Sequence, residues 1–139
     1  MIVLEMKIKA TVEKGSDGLF SVYSDEHFGN SYFGGFGDSV ARAKEDFIAS
    51  IEEAIEEQKA EGLDAPEFKD IQIEYLYDVP SFFNFFDYFN VSKFAEFAGV
   101  NESKMRAYKS GSAYPGEKTM AKICNAAHKM AAELAAFTL

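Results

Sequence analysis

Residues 92–111 read SKFAEFAGVNESKMRAYKSG, and their punctuation decides the architecture of the C-terminal part of the chain. Phe94, Ala95 and Ala98 recur at helical spacing, with Ser92 placed as N-cap and Gly99 as stop. Val100 and Asn101 leave only a tight connection before a second short helix, capped by Asn101 and ended by Gly111. Ala95 is small enough to let the two helices approach closely, while Met105 and Tyr108 turn inward from the second. Two short helices joined by a glycine-containing turn predict a helix-turn-helix.

Downstream, EKTMAKICNAAHKMAAELAAF (117–137) predicts a long last helix with Met120, Ile123, Cys124, Ala127, Met130, Ala131, Leu134 and Phe137 at apolar positions. Its end is expected to pack on Phe82, Phe83, Phe86 and Phe89 or on a second subunit. The lone Cys124 reads as a buried thiol, and His128 as a surface or packing residue. Upstream, SFFNFFDYFN (81–90) is aromatic on nearly all sides and predicts a packed helix. Pro80 marks a boundary, with a short linker near 78–80.

Before that boundary the period changes. Ile2, Leu4, Met6, Ile8, Ala10 and Val12 alternate with Glu5, Lys7, Lys9 and Thr11, which predicts a half-buried strand. KGSDG (14–18) reads as a turn, LFSVYS (19–24) as a second strand, SDEHFGN (24–30) as a turn and SYF (31–33) as a third strand. GGFGDS (34–39) punctuates, with Asp38 or Ser39 as N-cap for a helix over 39–60 that Gly62 ends. DIQIEYLYDV (70–79) alternates again. The order βββαβ followed by helices predicts an α+β fold in two domains: residues 1–78, with one helix on one sheet face, and an all-α domain at 81–139.

The charge divides in the same way. The net charge is −9 over 139 residues. Residues 1–80 hold 18 acids and seven bases, a net −11, whereas residues 81–139 hold five acids and seven bases, a net +2. An acidic half joined to a mildly basic one points to two partners of opposite charge, or to acids that are simply solvated. No apolar run is long enough to span a membrane, and MIVLEMKIKA lacks a basic leader, so the expected compartment is cytoplasmic.

The stretch SKFAEFAGVNESKMRAYKSGSAYPGEKTMAKICNAA resembles the DNA-binding domain of lambda-repressor-like (XRE-type) regulators at Ala95, Gly99, Val100, Ser103, Met105, Tyr108, Gly111, Pro115, Thr119 and Ile123. It departs where that family usually has Trp and Glu near the end of the recognition helix; here Tyr108 and Lys109 stand there. The resemblance implies a recognition helix for the major groove, with Lys93, Asn101, Ser103, Lys104, Arg106, Lys109, Ser110, Ser112 and Tyr114 as DNA-binding candidates. Arg106 is placed either to read guanine bidentately or to contact phosphate. A charge of only +2 makes doubling into a dimer or higher homo-oligomer the expectation.

DGLFSVYSD, FGGFGDSVARAKEDF and the apolar–acidic helix that follows, set before such a module, resemble the HicB family of antitoxins, whose N-terminal half is a partial ribonuclease H-like fold. That likeness implies an antitoxin that binds a basic, RNA-cleaving HicA-like toxin and represses its own operon. Asp25, Glu26, Glu52, Glu53 and Glu56 are the toxin-binding candidates, by charge complementarity. The alternative is a stand-alone regulator whose first half senses a ligand or only dimerises. Neither an enzyme nor a cofactor is expected. Asp25, Glu26 and His27 are adjacent and do not converge on a metal, and GGFGDS lacks the lysine of a phosphate loop.

Overall fold

In the computed structural model, which describes residues 5–29 and 31–139, the alternating segments form one four-stranded sheet. Strands β1 (Met6–Lys14), β2 (Phe20–Phe28) and β3 (Ser31–Gly37) run antiparallel to their neighbours in turn, and β4 (Ile71–Tyr77) lies parallel to β1 on its other side. The spatial order is β3-β2-β1-β4. A parallel pair needs a crossover, and helix α1 (Val40–Ala60) supplies it. Ser39 is the cap: its Oγ accepts from the Arg42 N–H at 3.1 Å. Gly62 follows the helix with φ +73°.

The sheet buries one face. Ile8, Ala10, Val12, Phe20, Val22, Phe28 and Phe33 meet Val40, Ala43, Phe47, Ile51, Ala54 and Ile55 of α1. Phe33 sets its edge against Phe28 and Phe47, at centroid distances of 5.0 and 6.5 Å. Ile71, Ile73, Tyr75 and Tyr77 join this core partly buried. The predicted Ile2 and Leu4 positions lie outside the described residues.

Two expectations are corrected here. SDEHFGN is a turn only at its end: residues 24–28 continue β2, with a register irregularity between Tyr23 and His27, the turn comes at Gly29, and Asn30 lies outside the described residues. GGFGDS is not mere punctuation either, because Gly34–Gly37 belong to β3. A Cβ on Gly35 would stand 2.3 Å from the Phe47 nitrogen, and one on Gly37 2.6 Å from the Ala43 nitrogen. The glycines let α1 lie directly on the strand. Its side chains then close the strand's free edge: Gly34 N–H donates to Ser50 Oγ at 3.1 Å and Phe36 N–H to Asp46 Oδ2 at 2.9 Å.

The chain divides into two compact units, Met1–Ser81 and Phe82–Leu139. No extended linker joins them. Helix α2 (Val79–Phe85) starts directly after β4, with Asp78 Oδ1 accepting from Ser81 N–H at 2.8 Å. Pro80 fits its first turn, where no intrahelical N–H is required. The aromatic helix expected over 81–90 therefore begins earlier and stops at Phe85.

The second unit continues with α3 (Val91–Ala98), α4 (Glu102–Ser110) and α5 (Glu117–Ala136). Its aromatic centre is Phe94, 1 % exposed, ringed by Phe82, Phe83 and Phe89 at 5.8, 5.7 and 5.3 Å. Only Ile123 and Ala126 of α5 are buried. Cys124 is exposed, contrary to expectation, because it sits one position past the buried Ile123 stripe. The far end of α5 packs on no phenylalanine cluster: Leu134 and Phe137 are 65 % and 69 % exposed. None of the described helices is long and apolar enough to cross a membrane.

Candidate functional site

Helix α3 is capped by Asn90, whose Oδ1 accepts from Lys93 N–H at 3.0 Å; Ser92, the expected cap, lies inside the helix. Gly99 ends it at φ +72°, a backbone conformation natural to glycine, and Val100 N–H closes on Ala95 O at 2.9 Å. Asn101 then caps α4 by accepting from Lys104 N–H at 3.1 Å, and Gly111 ends α4 at φ +80°. Met105 and Tyr108 are buried, as are Phe94 and Ala95 on α3. Their burial turns the opposite side of α4 outward.

That outer side carries Glu102, Ser103, Arg106 and Lys109, all exposed, with Lys104 beside them. Lys93 and Tyr114 are exposed as well. Arg106 is not a loose cation. Its Nη2 donates to Glu102 Oε1 at 2.7 Å and to Ser92 Oγ at 3.0 Å, while Ser92 Oγ donates to the same Glu102 oxygen at 2.6 Å. Hydrogen bonds from Ser92 and then Arg106 hold the Glu102 carboxyl below its usual range.

Three of the DNA-binding candidates have local structural work. The Asn101 oxygen is committed to its cap. The Ser110 and Ser112 hydroxyls both turn back on the Ala107 carbonyl, at 3.0 and 3.3 Å, and so finish the helix end. The sequence puts Glu102 on the exposed side of α4 but gives it no contact, and it makes Ser92 only a cap. The four-residue spacing of Glu102 and Arg106 was a readable signal. The link to Ser92 was not, since it forms only when the turn folds α4 back against α3.

In the first unit, Glu52, Glu53 and Glu56 are exposed on α1, and Asp25 on β2. Glu26 is half-buried and bound to Ser24 Oγ, its own N–H donating to the same oxygen at 3.1 Å. The Ser24 hydrogen bond keeps the Glu26 carboxyl below its usual range, with Lys9 adding to the effect. The five acids therefore belong to two separate elements. His27 Nδ1 lies 2.9 Å from Gly29 O, and its ring rests against Tyr32 at 4.5 Å. Among the described residues no group of three or more His, Cys, Asp and Glu side chains is arranged to hold a metal ion.

The sheet face opposite α1 exposes Tyr23, Tyr32, Phe36 and Leu76. Tyr23, Thr11 and Leu76 lie in register across β2, β1 and β4, and the Tyr23 hydroxyl donates to Glu13 Oε1 at 2.8 Å. Compared with known proteins, the chain matches no family model, no curated protein and no solved structure.

Proposed function

We propose that the chain is a DNA-binding antitoxin: its second unit represses an operator as a helix-turn-helix domain, and its acidic first unit captures a basic, RNA-cleaving toxin of HicA-like kind. The observation that carries the reading is the disposition of α4. Its inner residues Met105 and Tyr108 are buried, its outer residues Ser103, Lys104, Arg106 and Lys109 are exposed, and the turn at Gly99 sets it against α3. A short helix so presented suits the major groove, where side chains meet base edges and flanking lysines meet phosphates. The βββαβ order, on which the likeness to the HicB family rests, is the order of the first unit. Exposed carboxylates at Asp25, Glu52, Glu53 and Glu56 supply charge complementary to a basic ribonuclease. No catalysis is assigned to either unit.

A second reading keeps the DNA-binding unit and makes the first a dimerisation or ligand-sensing unit. The exposed Tyr23, Tyr32, Phe36 and Leu76 on one sheet face favour it.

Binding of the full chain to duplex DNA tests the common part. Affinity is expected to fall with salt, and Arg106→Ala with Lys109→Ala to lower it about 100-fold. Wild-type affinity in that double variant defeats the assignment of α4. Protection of cells from a small basic ribonuclease encoded beside this chain, with loss of protection when Glu52, Glu53 and Glu56 are reversed in charge, separates the first reading from the second.

A further inference from the structure

The triangle of Ser92, Glu102 and Arg106 constrains how α4 meets DNA. Arg106 Nη2 already serves two protein acceptors, Glu102 Oε1 and Ser92 Oγ. An arginine reads guanine with two neighbouring donors of its planar fork, and every such pair on its open edges includes this nitrogen. Bidentate reading therefore competes with the Glu102 and Ser92 contacts for the same nitrogen. A guanine edge offers O6 and N7 together and replaces what is given up; an isolated acceptor on another base does not. The side chains remain accessible for the exchange, since Arg106 and Glu102 are 62 % and 52 % exposed.

Glu102 has a second effect. Its carboxyl is held below the usual range, so it is ionised at neutral pH and faces the same solvent as Ser103 and Arg106. A fixed negative charge beside the reading arginine opposes the phosphate backbone, whatever the sequence. We infer that Glu102, with Ser92, is the specificity-determining positioning residue of α4: it keeps Arg106 from indiscriminate phosphate contact and releases it to guanine. This inference rests on the DNA-binding reading and says which residue gives that reading its selectivity.

The test uses the full chain and a pool of randomised duplexes, sequenced after several rounds of binding. The wild type is expected to enrich a motif with one guanine that Arg106→Ala no longer selects. Glu102→Gln keeps the shape of the side chain and removes its charge. It is expected to bind the unselected pool about tenfold more tightly and to lose most of the preference for that guanine, with an unchanged melting temperature. Ser92→Ala, which leaves the charge in place, is expected to weaken the guanine preference without raising affinity for the pool. A purely structural salt bridge would shift the melting temperature and leave selectivity alone. A wild-type motif whose guanine survives in Glu102→Gln, at unchanged pool affinity, overturns the inference and leaves the DNA-binding reading standing. Failure of the wild type to bind or enrich any duplex overturns both.

Discussion

Gly35 lies against the backbone of Phe47 so closely that a Cβ on the glycine would stand 2.3 Å from the Phe47 nitrogen and 2.6 Å from the Ala43 carbonyl oxygen. Backbone atoms of a helix cannot step aside as a side-chain tip can. Gly35→Ala is therefore expected to cost about 3 kcal/mol, the upper end for overpacked sites. Gly34→Ala, one residue away, meets only Val22 O at 3.8 Å and should be close to neutral. Urea melts of the two variants make the comparison; equal stabilities would refute the close seat of α1 on β3.

The same helix closes the sheet edge through Asp46 and Ser50. Removing both side chains frees the N–H groups of Gly34 and Phe36, next to the exposed Tyr32 and Phe36 rings. Asp46→Ala with Ser50→Ala is expected to lower stability by about 1 kcal/mol per lost bond and to promote self-association. Light scattering against protein concentration is the measurement.

Phe94 is the centre of the second unit, its ring parallel to Phe89 within 4°. Phe94→Ala is expected to cost about 3–5 kcal/mol. Because the two units have separate cores, hydrogen exchange should report loss of protection in α3 and α4 while β1 and α1 keep theirs.

Burial pushes the Tyr77 hydroxyl up to about 12, and the neighbouring Tyr75 adds to the shift. Below pH 10, the ordinary tyrosine value, both folded and unfolded chains hold the proton. Between pH 10 and about 12 the unfolded chain ionises first, so the stability this group confers is lost as pH rises through that window. Lys44, resting over the Tyr75 and Tyr77 rings at 4.2 and 5.0 Å, is shifted down by burial and works in the opposite direction. Tyr77→Phe keeps the ring under Lys44 and removes the hydroxyl. Its denaturation midpoint should fall less steeply over this range than that of the wild type.

Much of the architecture was legible because two periods do not mix. Ile8, Ala10 and Val12 alternate, whereas Phe47, Ile51, Ala54 and Ile55 recur at helical spacing, and both sets are buried. The helix ends at Asn101, Gly99 and Gly111 were readable for the same local reason: caps and left-handed stops depend on the residue itself. The misread places are those where distant contacts overrule local chemistry. Asp25 and Glu26 look like the start of a turn, yet Phe28 is held in the core beside Phe33 and draws the strand on to that point. The glycines before α1 look like a loop until the helix is laid over them. Ser92 looks like a cap because serine caps often, but Asn90 takes that position and frees the hydroxyl for Glu102 and Arg106. On α5 the apolar pattern runs the length of the helix, but the body of the unit covers only one stripe of its first half, so Cys124, beside that stripe, and Leu134 and Phe137, beyond it, remain in solvent.

The parallel pairing of Met6 with Ile71 also has a kinetic consequence. During synthesis Met6–Lys14 emerges with its hairpin partner long before Ile71–Tyr77 does, and one of its edges waits unpaired for the whole length of α1. Closing that long loop makes the last strand the slow step, and the waiting edge is the place where nascent chains would join one another. A partner that engages this unit meets a finished sheet only after the fourth strand has docked.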